Sequence, residues 1–220
     1  MERFLVFDVN ETLLDLGPIR SGFAEAFGDE AVASTWFATL LKLSFVSAIV
    51  DDYHPFTDLA AAAFDMVRAG RAAKVTDEVR DDILGRIRSL PPHPDVLPAI
   101  ERMAEAGIPM AALTNSPPAT AKAQLTNAGI APYLAQILTV DMVRRFKPAP
   151  EVYRTAAARL AVPIDHMVMV AAHDWDVAGA MHAGAAGAFV TRPGQVLSPL
   201  QPTPAFVVAD LGELADALGA

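Results

Sequence analysis

Apolar positions along this chain follow two different periods, and the switch between them organises the rest. Phe4-Leu5-Val6-Phe7 is an unbroken apolar run of strand length that stops abruptly at Asp8. Such a run predicts a strand buried on both faces, as in the middle of a parallel sheet. Between residues 15 and 90 the spacing turns helical. Ile19 to Phe27, Val32 to Val50, Asp58 to Ala69 and Asp77 to Leu90 read as helices, with Thr76 as N-cap of the last. Trp36, Leu40, Leu43 and Phe45 mark the apolar stripe of the second, a surface also suited to self-association as a homodimer. This segment contains no convincing strand, and Pro91-Pro92-His93-Pro94 closes it.

Beyond the prolines, short apolar runs alternate with helical patterns. Strands are expected at Pro109 to Thr114, Ala135 to Val140, Met167 to Ala172, Ala188 to Thr191 and Phe206 to Val208. Helices are expected at Val96 to Ala106 (stopped by Gly107), Ala119 to Ala128, Pro150 to Leu160 and Asp176 to Ala183. The Pro-rich stretch from Pro193 to Pro204 reads as a surface loop, the most mobile part of the chain. Alternation of this kind predicts an α/β fold: a Rossmann-like parallel sheet core flanked by helices, with right-handed crossovers. The core is expected from residues 1–14 and 91–220, and residues 15–90 form a helical cap inserted over the strand ends.

Composition narrows the function. With 53% hydrophobic residues in 220, the chain can bury a sizeable core. A net charge of -9 and no run of Lys or Arg argue against a nucleic-acid partner. Cysteine is absent, which removes disulfides, thiolate metal sites and a Cys nucleophile. The residues before the first strand resemble neither a signal peptide nor a membrane span, and the longest apolar stretches are short or interrupted. The expectation is a soluble cytoplasmic protein with no membrane partner.

In open α/β sheets, ligands bind outside the carboxyl ends of the strands. Asp8 stands at such an end, where a carboxylate acts as a covalent nucleophile or merely caps a turn. Other strand ends carry Thr114-Asn115-Ser116, a loop with Lys147, and His173-Asp174-Trp175-Asp176. Lys147 supplies the cation that an anionic nucleophile and an anionic substrate both need. Thr12, Thr114 and Asn115 supply donors for developing negative charge. His173 suits a base near its ordinary pKa. Tyr153 reads equally as pocket or packing, while Trp36 and Phe37 read as packing.

The ordered set Asp8-Val9-Asn10-Glu11-Thr12-Leu13, Leu113-Thr114-Asn115-Ser116, Lys147-Pro148 and the Asp176 segment resembles the haloacid dehalogenase superfamily. Phe146-Lys147-Pro148-Ala149-Pro150-Glu151-Val152-Tyr153 and Ala172 to Ala180 are similar to its type II, L-2-haloacid dehalogenase branch. That resemblance implies a metal-independent enzyme without cofactor, acting on a short 2-haloacid and water. Asp8 attacks the halogen-bearing carbon, and water hydrolyses the resulting aspartyl ester. Thr12 and Asn115 orient nucleophile and substrate, Thr114 binds the substrate carboxylate, and Lys147 holds both Asp8 and that carboxylate. Tyr153 interacts with substrate or lysine, Asp176 pairs with Lys147, and Asp176 and His173 share the positioning of water. Backbone N–H groups of Val9 and Asn10 complete an anion cradle.

The magnesium phosphatases of the same superfamily are the alternative enzyme. They carry an Asp where Asn10 stands and an acidic residue where Ala172 stands. Asn10 cannot protonate a leaving alkoxide, and Ala172 removes an oxygen ligand, which favours substitution at carbon. The dehalogenase branch in turn carries an aromatic residue at Asn10, a Ser near Ala171, an Asn at His173 and a halide-cradling Arg at Phe37. Ring edges or N–H groups of Trp36, His54 or Trp175 are candidates to replace that Arg. Loss of the Arg and Ser also keeps open a third reading, a catalytically inactive binding protein on this fold.

Overall fold

β1 (Phe4–Phe7) ends up central because both its faces are apolar: Leu5, Val6 and Phe7 are completely buried. The computed structural model describes residues 3–220. Around β1 stand β2 (Met110–Thr114), β3 (Gln136–Thr139), β4 (Met167–Ala171), β5 (Ala186–Val190) and β6 (Phe206–Val208). All pairings are parallel, in the order β3-β2-β1-β4-β5-β6. Strand order reverses at β1, so a crevice opens beyond the carboxyl ends of β1, β2 and β4. The expected Rossmann-like core flanked by helices is therefore the observed one.

From residue 15 to residue 90 the described chain contains four α-helices and no sheet strand: α1 (Gly17–Phe27), α2 (Ala31–Val50), α3 (Phe56–Gly70) and α4 (Asp77–Gly85). Phe23 knits them together, with ring centroids 5.4 Å from Trp36 and 5.2 Å from Phe64. The two chain passages into this helical layer are stapled to each other. Asp15 N–H donates to Pro91 O and His93 N–H to Leu13 O, both at 2.9 Å. Thr76 caps α4 as expected, accepting from Val79 N–H, but the helix gives way after Gly85 to a 3₁₀ turn at Arg86–Ser89.

The remaining helices are α5 (Val96–Glu105), α6 (Pro118–Asn127), α7 (Pro150–Leu160), α8 (Asp174–Ala183) and α9 (Leu211–Leu218). Helix α9 has no counterpart in the sequence reading, although Asp210 accepts from Glu213 N–H at 2.9 Å as a regular N-cap. β5 begins two residues earlier than expected, at Ala186. Gly187 hides it: a Cβ there would stand 2.6 Å from Val177 Cγ1, so close approach of α8 demands a residue with poor strand preference.

Helix α2 has 20 residues, and with a mean hydropathy of 1.5 over an 18-residue window it is long and apolar enough to cross a membrane. Its Trp36 and Leu40 are buried within the helical layer, so they are not a pairing surface; Val46, Ile49 and Val50 are the exposed apolar residues.

Candidate active site

Asp8 emerges directly from β1, and its N–H donates to Val170 O of β4 at 3.0 Å. The chain then turns tightly: Leu13 and Leu14 N–H both donate to Val9 O at 3.0 Å, and Glu11 takes a left-handed φ of 61°. Among the described residues, the Val9 and Asn10 amides donate to no protein acceptor, leaving two N–H groups beside Asp8. The same turn brings the Thr12 hydroxyl back to Asp8 Oδ2 at 2.8 Å while that hydroxyl accepts from Ala172 N–H at 2.9 Å.

Lys147 reaches the site from the loop before α7 and is wholly buried. Its Nζ donates to Asp8 Oδ1 at 2.7 Å, to Leu113 O at 3.0 Å and to Asp176 Oδ2 at 2.5 Å. Asn115 Oδ1 accepts from Lys147 N–H at 3.2 Å, fixing the lysine backbone. Tyr153 donates to Asp176 Oδ1 at 2.6 Å. Both Asp176 oxygens are thereby engaged, and the residue is completely buried. Thr114 accepts from Ser116 N–H at 3.1 Å, shaping the turn after β2.

His173 occupies the other side of the nucleophile. Its Nε2 lies 3.0 Å from Glu11 Oε2. Its Nδ1 lies 3.3 Å from Asp8 Oδ2, and this buried nitrogen has no hydrogen-bond partner among the described residues. Trp175 stacks on the imidazole at 5.1 Å and Phe37 at 5.9 Å, and Phe45 of α2 meets Trp175 edge-on. Glu11, Phe37, His173 and Trp175 line a cavity of about 230 Å³ that also reaches Arg20 and Gln195. His173 thus stands between this cavity and Asp8.

Charge follows geometry. Burial would raise the Asp8 carboxyl, yet the Lys147 ammonium and His173 outweigh it and hold Asp8 well below the usual carboxylate range. Burial would likewise depress His173, but the nearby Asp8 carboxylate and the Glu11 carboxylate bonded to its Nε2 push it up to about 9. The ring is an imidazolium at neutral pH, not the base of ordinary pKa that its residue type suggested. Burial opposes the charge on Lys147, and Asp176 with Asp8 raises it above its usual value. Burial and the neighbouring Asp176 charge lift the Tyr153 phenol well above the ordinary tyrosine range.

The sequence reading brought Asp8, Val9, Thr12, Thr114, Asn115, Lys147, Tyr153, His173, Trp175 and Asp176 to one strand edge, and the structure assembles them there. Phe37 joins them from α2 as a ring stacked on His173, more than cap packing. Asn10 turns away: its Oδ1 accepts from the buried Gln124 at 2.8 Å, and its Nδ2 faces Ser116. Two of the proposed halide donors are elsewhere. The Trp36 indole N–H is bound to Ala60 O at 2.9 Å, and His54 is exposed beside Asp52. Sequence reasoning missed Glu11 and Arg192. Arg192 follows β5 and is buried, forking onto Thr12 O at 2.9 and 3.1 Å and bonding Asp95 Oδ1 at 2.7 Å. Its position at a strand end was the available signal.

The sequence matches the family model of the haloacid dehalogenase-like hydrolases over residues 3–184. The chain belongs to this family. It is 30% identical over 215 residues to (S)-2-haloacid dehalogenase H-109 of Pseudomonas putida, covering 96% of each chain. Its backbone superposes on L-2-haloacid dehalogenase RSc1362 with a TM-score of 0.95 at 24% identity, covering 100% of this chain and 99% of the other. It also superposes, at 22% identity and a TM-score of 0.92 over 100% and 99% of the two chains, on the Xanthobacter autotrophicus L-2-haloacid dehalogenase with chloropropionic acid covalently bound. The match to named (S)-2-haloacid dehalogenases over nearly the whole chain places it in the type II branch of the family.

Proposed function

We propose that this protein is a hydrolytic dehalogenase that converts a short 2-haloacid to the 2-hydroxy acid through an ester on Asp8. One observation carries the reading: a buried, ionised carboxylate at the switch point whose oxygens are gripped by Lys147 and Thr12. A carboxylate oxygen of Asp8 attacks the carbon bearing the halogen, and halide leaves with the bonding electrons, inverting that carbon. Water then adds to Asp8 Cγ, and the hydroxy acid departs. The Val9 and Asn10 amides, Thr114 and Asn115 receive the substrate carboxylate beside Lys147. Phe37 and Trp175 form the apolar walls, and Tyr153 keeps Asp176 aligned on the lysine.

The donor set does not fit a phosphatase magnesium ion. An ammonium already joins Asp8 to Asp176, Ala172 offers no side-chain oxygen, and the Asn10 carboxamide is held by Gln124. Residues 15–90 act in this reading as a cap whose α2 contributes Phe37 to the pocket. The reading extends to a cytoplasmic homodimer, with exposed Val46, Ile49 and Val50 as the surface offered for pairing.

The test is halide release from chloroacetate, fluoroacetate and L-2-chloropropionate with excess chelator, with Asp8→Asn as control. A single turnover in ¹⁸O-water with enzyme in excess should yield unlabelled hydroxy acid and labelled Asp8. Label in the first product would mean that water attacks carbon directly, and the ester mechanism would fall.

A further inference from the structure

We propose that His93 and Arg192 are positioning residues for the attack by Asp8. Together they clamp the turn after β1 by its carbonyls, and so hold the Thr12 hydroxyl and the free Val9 and Asn10 amides in place around the nucleophile. The inference rests on the dehalogenase reading above and adds two residues to its first half. Three successive carbonyls of the turn accept from outside it. Glu11 O accepts from His93 Nε2–H at 3.1 Å, Thr12 O from the Arg192 fork at 2.9 and 3.1 Å, and Leu13 O from His93 N–H at 2.9 Å. Burial and the Arg192 charge beside it hold His93 below the ordinary histidine range. The ring is therefore neutral, and a carbonyl partner requires its proton on Nε2. Thr12 is gripped twice, at its carbonyl by Arg192 and at its hydroxyl by Ala172 N–H, with the hydroxyl proton left for Asp8.

The clamp works against the local preference of the chain. Glu11 sits at a φ of 61°, a left-handed backbone that a residue with a side chain keeps only where its surroundings over-determine it. His93 and Arg192 supply that constraint at Glu11 O and at the next carbonyl along. A buried guanidinium is costly to desolvate. Asp95 Oδ1 meets Arg192 Nη1 at 2.7 Å, yet Nε and Nη2 donate to a neutral carbonyl, a fork that ion pairing alone does not require. Lys147 and His173 set the charge of Asp8, so what Arg192 contributes is geometry. Asp95 is itself anchored, its Oδ2 accepting from Leu211 N–H at the start of α9 at 2.9 Å. The turn is thus fixed to the end of β5, to α9 and to residues 91–95, which also take Asp15 N–H at Pro91 O. Residues 91–95 lead out of the helical layer of residues 15–90, so that layer and the nucleophile share one anchor. Displacing a reacting group by about 1 Å costs up to about a hundredfold in rate, and these contacts oppose such a displacement.

Arg192 and His93 line a cavity of about 510 Å³, which leaves the clamp open to small solutes. The experiment follows chloride release from chloroacetate in a single turnover at saturating enzyme, where the rate constant reports alignment and is indifferent to the folded fraction. Arg192→Ala should slow this step at least about tenfold. Guanidinium sulfate, entering from the cavity, should recover at least about threefold of that loss and urea none of it, with the parent in the same additives as reference. His93→Leu removes the donor to Glu11 O and should slow the step comparably. His93→Gln restores an N–H of similar reach and should return it to within about threefold of the parent. Where Arg192→Ala fails to fold, the two His93 variants decide the question alone. Parental rate constants in Arg192→Ala or His93→Leu would overturn the inference while leaving Asp8 dehalogenation standing. So would equal losses in His93→Leu and His93→Gln, or a loss in Arg192→Ala that guanidinium relieves no better than urea. A parent that releases no chloride from any haloacid would overturn both.

Discussion

Lys147 Nζ lies 2.7 Å from Asp8 Oδ1, with both side chains almost entirely out of water: the lysine is 1% exposed and the aspartate 7%. This is a buried ion pair between a residue that closes β1 and one that arrives from a loop 139 positions later. Such a pair is weak evidence for net stability, because desolvating two charges offsets much of their attraction. Its value lies in keeping Asp8 ionised in an apolar setting. Without the ammonium, only His173 would oppose the burial that pushes the carboxyl toward its neutral form, which is no nucleophile.

Lys147→Met should therefore cost more than Asp8→Asn in stability. The methionine leaves Asp176 with no counter-charge and Asp8 with His173 alone, a loss of about 3–5 kcal/mol for an unpaired buried charge. Asp8→Asn leaves Lys147 still paired with Asp176. Both variants should lose at least about a hundredfold in halide release. Urea unfolding at neutral pH, run beside a halide assay, separates the two effects. Equal midpoints for the two variants would contradict the arrangement.

His173 makes stability depend on pH in a calculable direction. Its folded value of about 9 lies above the value of about 6.5 for an unfolded histidine. The contribution is fully present below that unfolded value and disappears as pH rises through the folded one. The parent should thus lose up to about 3 kcal/mol between pH 6 and pH 10 that His173→Gln does not lose. Parallel unfolding curves at several pH values for the two proteins give the difference directly. A parent and variant with the same pH slope would mean that the ring is neutral in the resting site.

The legible part of this molecule is the part with a local signal. β1, β2 and β4 were readable because two buried faces demand unbroken apolar runs, and Asp8, Lys147 and Asp176 because they end or follow such runs. The illegible part depends on contacts distant in sequence. Nothing local tells that Glu11 turns toward His173 from 162 positions away, or that Asn10 turns toward Gln124. The imidazolium state of His173 follows from two carboxylates that only folding brings together. Residue type alone pointed to ordinary behaviour. Phe37 looked like packing because its partner ring lies on α8's leading turn, far along the chain.

Gly179 on α8 sits against the Lys147-Pro148 segment so closely that its lack of a side chain is a positional requirement. A Cβ there would stand 2.5 Å from Pro148 Cβ, 2.9 Å from Pro148 O and 2.9 Å from the Tyr153 hydroxyl. Two of those three atoms belong to the residue after the lysine, and the third holds Asp176. Gly179→Ala must therefore move the segment that carries the cation or the phenol that aligns its acidic partner. Overpacking of this kind costs about 1–3 kcal/mol, and the displaced lysine should lower halide release by at least about tenfold. Gly70, at the end of α3, supplies the control, because a Cβ there meets nothing within 4 Å. Gly70→Ala should leave activity intact and stabilise by about 0.4–1 kcal/mol through the unfolded chain. Opposite signs for the same chemical change, measured by thermal unfolding and halide release, would establish that α8 positions the lysine by direct contact. A Gly179→Ala protein with parental stability and rate would show that the Lys147-Pro148 segment is not held by this contact.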